Sequence, residues 1–144
     1  MKIPYFKQET EYTCGAACVR MILASMGVKK TEKQIVNLLK TNKRKGTWHK
    51  MIPKLAEKYK FDYVVERNGK MSDLRNYYKK GWKIIICYLS DKIPHYSVLR
   101  KINWHSIYLF DPAFSPNHWY FINNFKRIWK DDEEKRWFIA IKKA

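Results

Sequence analysis

Apolar side chains recur at helical spacing in the first half of the chain and as β-rich runs in the second, which predicts helices first and a sheet afterwards. Residues 3–7 read as extended. Ala17, Met21, Ile22 and Met26 put one apolar face on a helix over 15–26, and Gly27 closes it. Thr31 and Gln34 have the spacing of a capping box ahead of the stripe Ile35, Leu38 and Leu39. A third helix is expected over about 48–59, with Pro53 tolerated near its start. Residues 61–66 read as a strand, and Ser72 as the cap of a short helix ending near Gly81.

The second half opens at residues 82–89 with a run apolar enough for the middle of a sheet. Residues 95–102 and 106–110 are β-rich on either side of Asn103-Trp104-His105, a hairpin signal. Residues 122–130 suggest a short helix and 137–142 the last strand. Helices followed by a mostly antiparallel sheet make the fold class α+β. With 144 residues, no internal repeat and no Pro/Gly-rich linker, one domain over 1–144 is expected.

Composition narrows the class. At 46% hydrophobic and 16% aromatic residues the chain is too apolar to be disordered. No apolar run approaches the roughly 20 residues of a membrane span, and residues 1–8 lack the apolar stretch of a secretory signal. A soluble, cytoplasmic protein is the expectation. The formal charge of +17, from 30 Lys and Arg against 13 acids, surrounds the fold with a positive field that attracts nucleic acid, anionic membranes or acidic partners. These cations are scattered, and the densest group, Lys40, Lys43, Arg44 and Lys45, is too short for a basic arm; they read as a solvated surface. Cys14, Cys18 and Cys87 are odd in number, which excludes a complete disulfide framework and favours a reducing compartment. Cys14 and Cys18 can share a helix face, but no second close Cys or His pair follows, so no metal and no cofactor is expected.

Two stretches carry candidate chemistry. Cys14-Gly15-Ala16-Ala17 opens the first long helix, where free backbone N–H groups and the helix dipole favour thiolate over thiol. Gly15 and the two alanines keep the surroundings small, so a substrate backbone can approach. Gln8, in a loop six residues earlier, can aim an amide N–H at a developing oxyanion together with the Cys14 N–H. Further on, a hairpin turning at Asn103-Trp104 opposes residues whose numbers sum to about 207. His95 then lies opposite Pro112, and Asp111 opposite Tyr96, so His95 and Asp111 are neighbours at the open end. An acid there can fix the imidazole tautomer and stabilise imidazolium. His105 lies at the far end of that hairpin, His118 lacks an acid at useful spacing and His49 falls in the helical half, so all three read as surface or half-buried residues. Cys18 and Cys87 read as inert core thiols.

Gln8, Cys14-Gly15-Ala16-Ala17-Cys18, His95-Tyr96-Ser97-Val98-Leu99 and Asp111-Pro112-Ala113 together resemble the C39 and C39-like peptidases, papain-like cysteine peptidases best known as bacteriocin-processing domains. The resemblance covers about residues 3–141, and Phe125 and Trp129 resemble the family's aromatic pair after the Asp-Pro turn. It implies a papain-like fold with the helical half packed on the sheet. It also implies a cysteine peptidase or related amide hydrolase with Cys14 as nucleophile, His95 as general base and then acid, Asp111 as orienting carboxylate and Gln8 as oxyanion-hole glutamine, acting on a peptide or protein substrate. Acidic substrates would be favoured by the charge. Thr13 and Ser115-Pro116 depart from the family pattern, and no Gly-x-x-x-x-Gly-Lys loop binds nucleotide. Two other readings stay open: a basic nucleic-acid-binding domain using Trp48, Tyr77, Tyr78, Trp104 and Trp119, and a catalytically silent peptide-binding module.

Overall fold

The computed structural model describes residues 2–144; Met1, the first residue of the expected domain and of the segment read for a secretory signal, lies outside the described residues. Three helices come first: α1 (Cys14–Ser25), α2 (Glu32–Leu39) and α3 (Met51–Lys58). Strand β1 (Phe61–Glu66) and helix α4 (Met71–Lys79) follow, then β2 (Lys83–Ser90), β3 (Ile93–Ile102), β4 (Ser106–Asp111) and β5 (Ser115–Phe121). Helix α5 (Ile122–Ile128) and strand β6 (Phe138–Lys143) complete the chain. The strands form one sheet in the order β1-β6-β2-β3-β4-β5, and every pairing is antiparallel.

The helical caps follow from local chemistry. Thr31 Oγ1 accepts from Gln34 N–H while the Gln34 side chain accepts from Thr31 N–H, closing the expected capping box of α2. Helix α1 ends at Met26, and Gly27 takes the positive φ of +87° that a β-carbon would resist. Ser72 does not cap α4. The helix starts one residue earlier, at Met71, and the Asp73 carboxylate reaches back 2.8 Å to the Lys70 N–H.

The sheet separates two apolar layers. On one face Ile85, Cys87, Tyr96, Val98, Ile139 and Ile141 pack against α1, α2 and α3. On the other, Ile84, Ile86, Tyr88, Leu109, Phe138 and Ala140 pack with Leu74 of α4 and Phe125 of α5. Strand β2 is buried on both faces, as its unbroken apolar run requires. Its connection to β3 is a two-residue turn in which Asp91 and Lys92 both adopt positive φ, the hairpin geometry that matches strand twist. Tyr88 thereby stands opposite His95.

Residues 2–7 take no strand pairing and form a strap. Two features depart from the sequence expectations. Residues 115–121 form an edge strand, β5, that the hydrophobic pattern did not announce. The β3–β4 hairpin pairs Val98 with Phe110 and, past a bulge near Lys101, Ile102 with Ile107. The bulge absorbs a residue, so the register differs from the simple sum. Carried past Val98, this register sets Ser97, not Tyr96, level with Asp111. His95 is the next residue on that same face.

Candidate active site

Helix α1 begins at Cys14, and Thr13 makes no side-chain bond to the first turn, so the helix N-terminus keeps its backbone donors pointing outward beside a half-buried thiol. The Thr13 hydroxyl is instead held in the preceding turn, 3.2 Å from Thr10 O. Gly15 has a packing role rather than the openness expected of it. A β-carbon there would lie 2.7 Å from Thr47 Oγ1 and 3.1 Å from the Tyr96 ring, so this space is filled by protein. Ala16 and Ala17 are fully buried in the core and likewise leave nothing open to a substrate.

The structure brings His95 and Asp111 together. His95 Nε2 donates to Asp111 Oδ1 at 2.6 Å, and the carboxylate is completely buried. Nε2 being committed, Nδ1 is the ring nitrogen left for the Cys14 sulfur, which lies within hydrogen-bonding reach of the ring. Burial pulls the His95 pKa down. Hydrogen bonds to Asp111 and Cys14, with the charges of both, outweigh it and raise the value from 6.5 to about 9. Asp111 is pushed up by burial but held down more strongly by His95, the His118 bond and the Ala113 N–H, ending at about 2. A histidine kept protonated next to a thiol, with a carboxylate kept ionised behind it, is an arrangement that supports a thiolate–imidazolium pair.

Sequence reasoning missed His118 and Tyr88. His118, expected to lack a suitable acid, donates from Nδ1 to Asp111 Oδ2 at 2.6 Å. Strand β5 carries it there by pairing His118 with Leu109, two residues from Asp111 on the same face. The Tyr88 hydroxyl sits 3.4 Å from the same oxygen and 2.9 Å from Ser97 Oγ. Tyr88 was legible in principle, since a tight β2–β3 turn places it across from His95.

Gln8 is fixed by the strap. Its backbone N–H donates to Pro112 O at 2.9 Å, Tyr5 donates to Asp111 O at 2.6 Å, and Glu9 N–H bonds the buried Glu32 carboxylate at 3.1 Å. The Gln8 side-chain amide donates an N–H to Thr10 O at 2.8 Å, and its Oε1 is buried with no hydrogen-bond partner among the described residues.

Cys14 opens onto a cavity of about 460 Å³ whose wall also holds Tyr12, Trp48, Pro94 and Tyr96. A second Cys, His and Asp set lines it: Cys87, His49 and Asp131, with donor atoms all within 4.8 Å of one another. His49 is half-buried and Cys87 a buried strand thiol, as expected, but the two meet Asp131 in this wall. His105 does sit alone in the exposed hairpin turn, and Cys18 is a buried core thiol whose pKa burial drives well up. Of the aromatics considered for nucleic acid, Trp104, Trp119 and Tyr78 are exposed, whereas Tyr77 packs against the core.

Helices on an antiparallel sheet, with a helix-opening thiol beside a sheet histidine, define a papain-like cysteine hydrolase architecture. The Peptidase C39 family profile matches residues 2–132, so the chain belongs to that family and is a cysteine peptidase. Among solved structures it resembles a double glycine motif protease from an AMS/PCAT transporter, determined in complex with the leader peptide. That pair shares 22% identity over 99% of this chain and 93% of the other, with a TM-score of 0.78. The peptidase domain of Streptococcus ComA, a bi-functional ABC transporter, matches at TM-score 0.79 and 19% identity over 99% of this chain and 100% of that one. A C39-like peptidase from Bacillus anthracis matches at TM-score 0.82 and 16% identity, over 99% and 96%. No curated protein matches the chain by sequence. None of the helices among the described residues is long and apolar enough to cross a membrane.

Proposed function

We infer that the whole chain acts as one peptidase domain in which Cys14 is the nucleophile, His95 the general base and then acid, Asp111 the orienting carboxylate and Gln8 an oxyanion donor. The observation that carries this reading is the His95–Asp111 bond of 2.6 Å on a ring whose other nitrogen is left for the Cys14 sulfur. Cys87, His49 and Asp131 are the weaker candidates for the same chemistry. Cys87 lies mid-strand, 2% exposed, and burial pushes its thiol well above the ordinary range.

The reaction runs as acyl transfer. The Cys14 thiolate adds to the scissile carbonyl, and the Cys14 N–H and the Gln8 amide bond the oxyanion. His95 gives its Nδ1 proton to the departing amine, then takes one from the water that resolves the thioester. The substrate is an extended peptide. The leader peptide bound by the transporter protease favours a leader-type substrate, and the +17 charge favours acidic ones through long-range steering that salt weakens. A reducing, cytoplasmic compartment suits three free cysteines.

The test is peptide hydrolysis by Cys14→Ala, His95→Ala and Gln8→Ala, with folding followed by circular dichroism. The first two abolish turnover. Gln8→Ala lowers kcat by about 10²–10³ while Cys14 still alkylates with iodoacetamide. Equal turnover by wild type and Cys14→Ala ends the assignment.

A further inference from the structure

The Cys87, His49 and Asp131 set stands apart from the His95 pair. His49 Nδ1 lies 2.5 Å from the Tyr96 hydroxyl, which is also 3.0 Å from Thr47 O, and Nε2 faces Asp131 Oδ2 at 2.8 Å. The hydroxyl has one proton for two acceptors. Given to Nδ1, it leaves Nε2–H to bond Asp131; given to Thr47 O, it lets Tyr96 accept from Nδ1–H and turns the Nε2 lone pair toward the carboxylate. The second arrangement is the one a metal ion between Nε2 and Asp131 uses. The Cys87 sulfur, within 4.8 Å of the His49 and Asp131 donor atoms, adds a third donor to the same point.

We propose that His49, Cys87 and Asp131 form a binding site for a zinc-class divalent ion in the wall of the cavity that Cys14 also lines. An imidazole nitrogen, a thiolate and a carboxylate suit a borderline-soft ion such as Zn²⁺ and not Mg²⁺ or Ca²⁺. Bonds of about 2.0–2.3 Å place tetrahedral donors about 3.5 Å apart. Donors already within 4.8 Å of one another reach that spacing by side-chain rotation. Binding sets the single ring proton on Nδ1 and releases the Cys87 thiol proton to solvent, so Zn²⁺, thiolate, carboxylate and a neutral ring sum to zero charge in the half-buried pocket. The Tyr96 oxygen, 2.5 Å from Nδ1, is placed to accept that proton, and stacking of His49 on Trp137, with ring centroids 4.1 Å apart and planes 10° apart, holds the ring plane. The three residues leave a fourth position to water from the cavity.

The site is tested by titrating Co²⁺, as a spectroscopic stand-in for Zn²⁺, into the Cys14→Ser protein, which removes the other cavity thiol. One equivalent should bind with a thiolate-to-cobalt charge-transfer band, and Zn²⁺ should displace it. Cys87→Ser abolishes the band and Cys18→Ala leaves it. Tyr96→Phe keeps all three ligands but loses the Nδ1–H acceptor, and weakens binding about 10–100-fold. Asp131→Asn, nearly the same shape, weakens it at least as much and remains decisive should Cys87→Ser fail to fold. Absence of binding at millimolar Co²⁺ or Zn²⁺, or a band that survives Cys87→Ser, overturns the proposal. Because Cys14 is absent throughout, the outcome is independent of its assignment as nucleophile.

Discussion

Replacing Asp111 by Asn removes a charge while nearly keeping a shape, and the structure fixes the size of the effect. Oδ1 accepts from His95 Nε2 and the Ala113 N–H, and Oδ2 from His118 Nδ1. The amide oxygen will take the first position, because the Ala113 N–H cannot become an acceptor, and the NH₂ will face His118, whose ring can switch tautomer. His95 therefore keeps its orientation but loses the ionic partner. Burial is then opposed by Cys14 and a neutral hydrogen bond only, and the expected limit is a return of the His95 pKa from about 9 to the ordinary 6.5. That drop of about 2.5 units is roughly 3 kcal/mol of lost preference for imidazolium. At pH 8 the imidazolium fraction goes from about 90% to about 3%, and at pH 6 from nearly all to about 75%. kcat/KM should thus fall about 30-fold at pH 8 and less than about twofold at pH 6. The assay is kcat/KM from about pH 5 to about pH 10, read beside the ¹⁵N shifts of the His95 ring. An alkaline limb still near 9, or a loss equal at every pH, would refute the reasoning. Stability should follow the same linkage. The raised His95 pKa contributes stability fully present below 6.5 and lost as pH rises through about 9. The depressed Asp111 pKa contributes stability present above 3.8 and lost as pH falls through about 2. The variant's deficit is therefore full between those two ordinary values and fades on either side.

Two further substitutions probe the surroundings. Gly15→Ala drives a β-carbon into Thr47 Oγ1 and Cβ at 2.7 and 2.8 Å, and should cost about 1–3 kcal/mol in urea unfolding; an unchanged midpoint would show that the 47 loop yields freely. His118→Leu removes a donor from a buried carboxylate and should cost about 1–2 kcal/mol at pH 7, modest because His118 is a quarter exposed. Its acid-unfolding midpoint should move to higher pH, since Asp111 then protonates more readily; a midpoint that stays put would mean the bond contributes nothing.

The legible parts of the molecule are those where one local signal suffices. Thr31 and Gln34 specify a helix start by themselves, and Cys14 followed by an apolar periodicity places a thiol at a helix N-terminus. The His95–Asp111 neighbourhood survived a wrong register because residues two apart on adjacent strands share a face. Strand β5 was not legible for a physical reason. As an edge strand it leaves Trp119 and Phe121 exposed and tolerates Pro116, so it has neither clean alternation nor an apolar run. His118 was lost with it. Gly15 was misread because a sequence says that a position is small, not what fills the space beside it, and Thr47 and Tyr96 are distant in the chain.

The strap across the Asp111 loop has a consequence for how the protein is made. Tyr5 and the Asp111 carbonyl are 106 residues apart, and Cys14 emerges from the ribosome long before His95 or Asp111 is synthesised. Until the early segment closes over the later one, the nascent chain carries an ordinary thiol with no imidazolium beside it. With Cys14 as the proposed nucleophile, its activation waits until the segment around Tyr5 has closed on the Asp111 loop, which protects an unfinished peptidase from attacking its neighbours or itself.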